Sequence, residues 1–167
     1  MTFEEYSKKE EEFKSFALGK VIDYDGEYGG QCWDLVEYYV VNYLGVPAWV
    51  LAGCDLVSNL LYPPKINDVL SYFDEIPINT MEKGDICIWE YGHIAIFDNC
   101  SDGSTCYFLS QNPGPCQLIP LSQDGSHAFR LKGVTFGNPE PTPIEPTADE
   151  KLQVVKEKLQ ELIDYIG

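Results

Sequence analysis

The alternation of apolar and polar residues after position 31 predicts a helix that begins at a cysteine. Apolar side chains recur there every three or four residues, at Leu35, Val36, Tyr39, Val40 and Tyr43. This spacing is typical of an amphipathic helix, and Gly45 can end it. Cys32 would then lie in the first turn, where free N–H groups and the positive end of the helix dipole favour the nucleophilic thiolate. The alternative is an ordinary buried thiol, since free cysteines usually behave as small apolar residues.

Further along the chain, five stretches alternate between apolar and polar residues, and turns rich in Gly, Asn, Pro and Ser separate them. They predict strands at residues 85–90, 93–98, 106–110, 117–121 and 128–132. Residues 3–19 predict a helix of mixed charge. Residues 48–72 predict a shorter helical region that Pro63-Pro64 interrupts.

The composition changes near the C-terminus and divides the chain into three regions. Residues 1–135 carry the motifs discussed below, residues 136–146 form a proline-rich linker, and residues 147–167 form an amphipathic helix that opens with a capping box. The apolar residues of this helix lie at heptad spacing: Leu152, Val155, Leu159, Leu162 and Ile166. We expect this stripe to self-associate or to dock on a partner through residues 147–166.

A histidine at the start of a predicted strand is the candidate partner of Cys32. His93 follows Gly92, which permits a close backbone approach, and it opens the run at residues 93–98. Cys–His nucleophile pairs are commonly far apart in sequence in this way. The alternative for a lone histidine is a structural role. His127, the second histidine of the chain, has no comparable setting, and we expect it to be structural.

Acidic residues crowd the segment that leads into Cys32. Four carboxylates and a glycine fall on the ligand positions of an EF-hand calcium loop: Asp23, Asp25, Glu27, Gly29 and Asp34. Tyr28 stands where such a loop normally has glycine. The pattern by itself leaves two interpretations open, a calcium site and a polar turn.

Three motifs, taken in order, resemble those of one enzyme family: Gln-Cys-Trp-Asp-Leu-Val at 31–36, Gly-His-Ile-Ala-Ile at 92–96 and Ser-Gln-Asn-Pro-Gly at 110–114. They look like the CHAP family of peptidoglycan amidases and endopeptidases, especially the catalytic domains of bacteriophage endolysins. The resemblance implies an α+β, papain-like (NlpC/P60-type) fold, with N-terminal helices packed on an antiparallel sheet and here an appended C-terminal helix. It also implies hydrolysis of an amide bond in the cell-wall stem peptide or cross-bridge.

The resemblance assigns roles to individual residues. Cys32 matches the nucleophile, His93 the general base, and Asn112 the residue that helps to orient the imidazole. The family often has a glutamate two residues before that asparagine, whereas this chain has Ser110, so Asn112 is the expected third member and Asp98 a weaker candidate.

The resemblance also implies an oxyanion hole and a metal, while the position of Trp89, four residues before His93, predicts a groove residue. Gln31 would supply an oxyanion hole together with the backbone N–H of Cys32. Trp89 would line the peptide groove, or else cover the edge of the core. A structural Ca²⁺ would be held by the side chains of Asp23, Asp25 and Asp34. The backbone carbonyls of Glu27 and Gly29 would complete the site.

Charge and composition exclude several classes of partner. The net charge of −16 and the pI near 4.2 argue against nucleic acid and against electrostatic attachment to anionic lipids or teichoic acids. Apolar runs are too short for membrane insertion. The charged N-terminus lacks the apolar centre of a signal peptide, so we expect the protein to stay in the host bacterial cytoplasm until a separate pore releases it to the wall.

The cysteine content fits synthesis in a reducing compartment. The chain has six cysteines and lacks a Cys-x-x-Cys pair, which argues against a disulfide scaffold and against zinc. Cys100 and Cys106 flank a predicted hairpin turn and could approach each other, but we expect them to remain thiols. We expect Cys54, Cys87 and Cys116 to be buried.

Two functional interpretations from different classes remain at this stage. The first is a cysteine-dependent peptidoglycan hydrolase, an amidase or an endopeptidase. The second is a noncatalytic calcium-binding or assembly module, such as a virion component, that has kept the fold. Ser110 in place of glutamate is the feature that favours the second interpretation.

Overall fold

The structure is a computed structural model that describes residues 1–101, 105–112 and 114–137. The predicted linker from residue 138 onward and the predicted helix 147–167 lie outside the described residues. The described residues up to Phe136 form one compact unit.

Three α-helices and six strands make up this unit. The helices are α1 (Phe3–Ala17), α2 (Cys32–Asn42) and α3 (Lys65–Tyr72), with short 3₁₀ segments at Ala48–Val50, Val57–Leu61 and Ile78–Thr80. The strands are β1 (Phe73–Ile76), β2 (Ile86–Trp89), β3 (His93–Ser101), β4 (Thr105–Ser110), β5 (Gln117–Pro120) and β6 (Ser126–Leu131). None of the helices in the described part of the chain is long and apolar enough to cross a membrane.

The strands form one antiparallel sheet in the order β1-β6-β2-β3-β4-β5. The five predicted strands are all present, and α2 begins at Cys32 as predicted. The expected α+β class is therefore confirmed, and the arrangement is compatible with a papain-like fold. Strand β1 was not predicted, because its four residues Phe-Asp-Glu-Ile show no sustained alternation.

Side chains on the two faces of the sheet pack into separate apolar clusters. On one face, Ile88 of β2 and Ile94 of β3 pack with the buried side of α2, which includes Leu35. On the other face, Trp89 and Ala95 pack with residues such as Phe108. Because both faces are covered, all four residues of β2 are buried.

Helix α1 is tied to the sheet and to the end of the domain. Thr2 caps its start, and the hydroxyl of Tyr6 donates to the carbonyl of Gly84 at 2.7 Å. The backbone N–H of Phe3 donates to the carbonyl of Thr135 at 3.0 Å, and the N–H of Thr135 donates to the carbonyl of Met1 at 3.0 Å. The two ends of the described domain are therefore hydrogen-bonded to each other.

The expectation that Cys100 and Cys106 remain thiols is wrong, because the two are disulfide-bonded in the structure. They are direct cross-strand partners in the β3–β4 ladder, and this register holds their sulfur atoms together. Cys32, Cys54, Cys87 and Cys116 are free. Cys87 and Cys116 are buried as predicted, while Cys54 is only half-buried.

Candidate active site

Cys32 begins α2 and is buried, with 6% of its surface exposed. Gln31 before it is extended, and its N–H donates to the Asp34 carboxylate at 2.8 Å, which fixes the first turn. Helix α2 packs on β3, the strand that His93 opens. Burial raises the pKa of the Cys32 thiol, although the backbone N–H of Ile94, the residue after His93, lowers it. The expected thiolate is therefore disfavoured in the isolated protein, since desolvation outweighs the helix terminus.

His93 is the first residue of β3, and Ser110 is its hydrogen-bond partner. The Ser110 Oγ lies 2.9 Å from the imidazole Nε2, and Ser110 is itself 2% exposed. Burial lowers the pKa of His93, because a charged ring would lose solvent there. Because Nε2 is hydrogen-bonded to Ser110, Nδ1 is the ring nitrogen that remains free to accept a proton from another group.

Ser110, and not the expected Asn112, is the partner of His93 in the structure. Among the described residues, neither Asn112 nor Cys32 hydrogen-bonds the imidazole, and in the tautomer that leaves Nδ1 free to accept a proton, Nε2–H donates to the Ser110 Oγ. Asn112 lies two residues beyond, exposed and with a left-handed backbone (φ 87°). Asp98 is also excluded, since its carboxylate pairs with Lys14 at 2.5 Å, far along β3 from the histidine.

Trp89 cannot line a peptide groove, because it is completely buried. Its indole N–H donates to the carbonyl of Ser122 at 2.8 Å, and its ring packs on Phe108. The alternative, that Trp89 belongs to the core, is the correct one. Tyr91 is the exposed aromatic residue at this place, with 70% of its surface accessible and its ring parallel to that of His93. Its position in the turn between β2 and β3 could have identified it from the sequence. The alternation of apolar and polar residues did not, because that pattern describes only the strands.

Gln111 connects the site to the acidic loop, and sequence analysis did not single it out. Its amide nitrogen donates to the carbonyls of Ile22 at 2.7 Å and Gln31 at 2.8 Å, while its amide oxygen accepts from the N–H of Ile22 at 2.7 Å. Gln111 is 1% exposed, so these bonds form in a protected setting. A side chain at Gly30 would lie only 2.5 Å from the Ile22 carbonyl, which explains the glycine at this close approach. Gln111 thereby fixes the residue that precedes the candidate nucleophile.

The predicted oxyanion and calcium residues lie on the same loop. Gln31 is half-buried beside Cys32, and its oxyanion role stays a prediction. The carboxylates of Asp23, Asp25 and Asp34 converge, with one oxygen of each within 4.8 Å of the others. Three converging hard oxygens fit a calcium ion. The two other predicted ligands, Glu27 and Gly29, would contribute their carbonyls, and the backbone is left-handed in this part of the loop, at Tyr28 (φ 63°) and Gly29 (φ 74°).

Backbone N–H groups of the loop hold these carboxylates together. Asp34 accepts from the N–H groups of Tyr24 at 2.9 Å and Gln31 at 2.8 Å, on different carboxylate oxygens. Asp23 and Asp25 accept from the N–H groups two or three residues further along. Each carboxylate oxygen has further lone pairs for a cation, so the donor set fits calcium.

A helix that opens with a buried cysteine, set against an antiparallel strand that opens with a histidine, places the domain in the papain-like class. In an alignment of 135 positions that covers 73% of this chain, the sequence is 34% identical to a D-alanyl-L-alanine endopeptidase of Streptococcus phage B30. The chain spans 30% of the length of that relative. No protein-family model matches the chain. The resemblance to CHAP-type phage hydrolases is confirmed by this relative.

Proposed function

We propose that this chain is a cysteine-dependent peptidoglycan hydrolase that cleaves an amide bond in the bacterial cell wall. The observation that carries the proposal is the placement of Cys32 at the start of α2, which packs on the strand that His93 opens. The D-alanyl-L-alanine endopeptidase activity of the phage relative favours a peptide bond between D-alanine and L-alanine over an amidase reaction. The contact between Ser110 and His93 supports a catalytic domain over a noncatalytic module, because Ser110 can orient the imidazole.

The reaction follows from the protonation states of the two residues. His93 is neutral because burial lowers its pKa, and Nδ1 is free to accept the proton of the Cys32 thiol when substrate is bound. The sulfur then attacks the amide carbonyl and forms a tetrahedral intermediate, whose oxyanion is stabilised by the Cys32 N–H and by Gln31. The imidazolium gives its proton to the leaving amine as the carbon–nitrogen bond breaks.

The second half of the reaction consumes water. His93 removes a proton from a water molecule, which attacks the thioester carbonyl and releases a carboxylic acid and the Cys32 thiol. Ser110 would keep the imidazole oriented through both halves, since it is itself buried.

The proposal is tested by substitution of the nucleophile. Cys32→Ala should abolish the release of new amino groups from purified Gram-positive cell walls, and His93→Ala should lower it by at least about a hundredfold. Cys116→Ala is the matched control, because Cys116 is a buried free thiol outside the site. Mass spectrometry of the released fragments would identify the bond. Comparable digestion by the Cys32→Ala protein would refute a cysteine mechanism.

We also propose that one calcium ion is held by the side chains of Asp23, Asp25 and Asp34, with carbonyls of Glu27 and Gly29. The ion would stiffen the loop that leads into Cys32. Binding to the folded state alone should stabilise it by about 2.7 kcal/mol at a hundredfold excess over Kd. Magnesium should substitute poorly, since it needs a stricter octahedron.

The measurement for calcium is the melting temperature across a titration from chelator to millimolar calcium. Asp25→Ala should remove the rise in melting temperature, whereas Asp74→Asn, an exposed aspartate on β1, should keep it. If the melting temperature of the wild-type protein does not change with calcium, the calcium proposal is refuted and this segment is an ordinary acidic turn.

A further inference from the structure

A cleft of about 540 Å³ lies next to Gln31, on the side of α2 that carries the acidic loop. It is large enough for an amino-acid side chain rather than only an ion. Five carboxylates line it, and among the described residues no lysine or arginine does: they are Asp25, Glu27, Asp34, Glu37 and Asp55. Three aromatic rings complete the walls: Tyr24, Tyr28 and Trp33.

Glu37 is the informative member of this set. It is only 7% exposed, it faces the cleft, and within the described residues its carboxylate has neither a hydrogen bond nor an ion pair. Burial raises the pKa of Glu37, although the charge of Lys65 lowers it. The Lys65 ammonium itself binds the carbonyl of Trp49 at 2.6 Å and the Asp68 carboxylate at 3.1 Å. The rest of the Glu37 side chain is enclosed, so its carboxylate reaches solvent only through the cleft, where a cationic ligand could pair with it.

The proposed calcium ion does not account for Glu37. The converging set contains Asp23, Asp25 and Asp34, and Glu37 is not part of it. One calcium ion on those three carboxylates would leave a net charge of about −1 at the metal. The side chains of Glu27, Glu37 and Asp55 would then still add three negative charges to the cleft.

We propose that this cleft binds a primary ammonium group of the peptide substrate, next to the bond that Cys32 attacks. The inference rests on the proposed hydrolase function and adds a feature that the substrate must carry. A primary ammonium on a flexible alkyl chain can reach a recessed carboxylate, and Trp33 can contact it through its ring face. Trp33 and Glu37 are four residues apart on α2 and therefore lie on one face of the helix.

The position along α2 limits where the ammonium can be. Glu37 follows Cys32 by five residues, which corresponds to about 7.5 Å along the helix axis and about 140° around it. An extended peptide that runs partly around the helix covers that separation in about three residues. Two amines of a cell-wall peptide satisfy this requirement, the side-chain amine of a diamino residue and the α-amine of an unlinked peptide end.

The experiment compares synthetic stem-peptide substrates in calcium-containing buffer. One substrate has both amines free, one has the side-chain amine acetylated, and one has the α-amine acetylated. Acetylation of the recognised amine should lower kcat/KM about tenfold, mainly through KM, which corresponds to about 1.4 kcal/mol. The substrate that shows the loss identifies which amine binds.

Substitutions of residues that line the cleft show whether the loss of kcat/KM on acetylation arises at the cleft. In the Glu37→Gln/Asp55→Asn protein the difference between free and acetylated substrates should shrink to less than about twofold. Asp74→Asn makes the same chemical change on an exposed aspartate of β1, and it should retain the full difference. A melting curve confirms that the double variant is folded.

The outcomes separate the two proposals. If the wild-type protein cleaves free and acetylated substrates with equal kcat/KM, the ammonium site is refuted while the hydrolase function stands. An equal tenfold loss in the wild-type protein and the double variant also refutes it, because the effect then belongs to the substrate. Failure to cleave any peptide or purified wall would instead refute the hydrolase function.

Discussion

Burial moves the pKa values of the two candidate catalytic residues in directions that keep both neutral. The pKa of Cys32 is raised, and the pKa of His93 is lowered. The neutral pair is therefore the resting form from below pH 6.5 to above pH 8.5, the ordinary values of the two groups. The thiolate would form only when substrate brings the imidazole into contact, which protects the thiol from adventitious oxidation.

This pKa pattern predicts a slow reaction of Cys32 with small alkylating reagents at neutral pH. The rate of iodoacetamide labelling should rise with pH and reach its midpoint above about 8.5, because a raised pKa lowers the thiolate fraction at pH 7. Peptide mass spectrometry of labelled protein gives the rate at Cys32 specifically. A midpoint below pH 7 would show that the helix terminus and His93 outweigh burial.

Ser110 is predicted to be the more important partner of His93. Ser110→Ala should lower kcat about tenfold, the effect of one lost hydrogen bond of about 1 to 1.5 kcal/mol, while Asn112→Ala should cost less. The pH–rate profile distinguishes positioning from general destabilisation, since the acid limb reports the pKa of His93. A larger loss for Asn112→Ala would restore the original assignment.

Part of this site could be predicted from the sequence and part could not. The positions of Cys32 and His93 could be predicted because the start of a helix and the start of a strand each have local sequence signals. The contact of Ser110 with His93 depends on how β3 pairs with β4, and a β-bulge between Phe97 and Asn99 shifts that register. Local sequence does not encode such a shift. Trp89 was misplaced because β2 is buried on both faces, so alternation could not separate inside from outside.

At the scale of elements, a charged network joins α1 to the sheet. Lys14 pairs with Glu11 at 3.1 Å and Asp98 at 2.5 Å, and Lys83 pairs with the same two carboxylates. Glu10 lies completely buried at the edge of this network without a hydrogen-bond partner. Burial raises its pKa to about 8, although Lys14 and Lys83 lower it.

Glu10 is predicted to make the protein less stable at alkaline pH. Its folded pKa of about 8 exceeds the ordinary 4.5, so its contribution is complete below pH 4.5 and is lost as pH rises through 8. Glu10→Gln should therefore lie within about 1 kcal/mol of wild type at pH 5 and exceed it by roughly 4 kcal/mol at pH 9. Urea unfolding at both pH values measures this difference.

The control for Glu10 is Glu12→Gln, which removes an exposed carboxylate paired only with Lys8 on the same helix. It should change stability by less than about 0.5 kcal/mol at either pH. Lower stability of Glu10→Gln at pH 9 would mean that ion pairs with Lys14 and Lys83 outweigh the desolvation of Glu10.

The β3–β4 ladder carries a prediction about redox state. With Cys100 and Cys106 bonded, the chain has four free thiols, and reduction should raise the count to six. A thiol assay in denaturant, before and after reduction, gives both numbers. Six free thiols in protein isolated under anaerobic conditions, and four after air exposure, would show that the bond forms only outside a reducing compartment.

At the scale of the whole molecule, the sequence predicted the order of the elements along the chain better than the pairing of the strands. The five predicted strands agree with the structure to within a few residues because each has apolar alternation bounded by turn residues. The missing strand, β1, pairs with β6 at the edge of the sheet, far along the chain. Its formation depends on this long-range partner rather than on its own sequence.

The meeting of Met1 and Thr135 has a consequence for how this domain can be rebuilt. Because its two ends are hydrogen-bonded neighbours and Phe3 stacks on Phe136 at 4.9 Å, a short peptide could join them without disturbing the sheet. New ends could be opened at the exposed turn between Asp124 and Gly125. Such a circularly permuted chain would keep every strand neighbour while reversing the order in which α1 and β6 leave the ribosome.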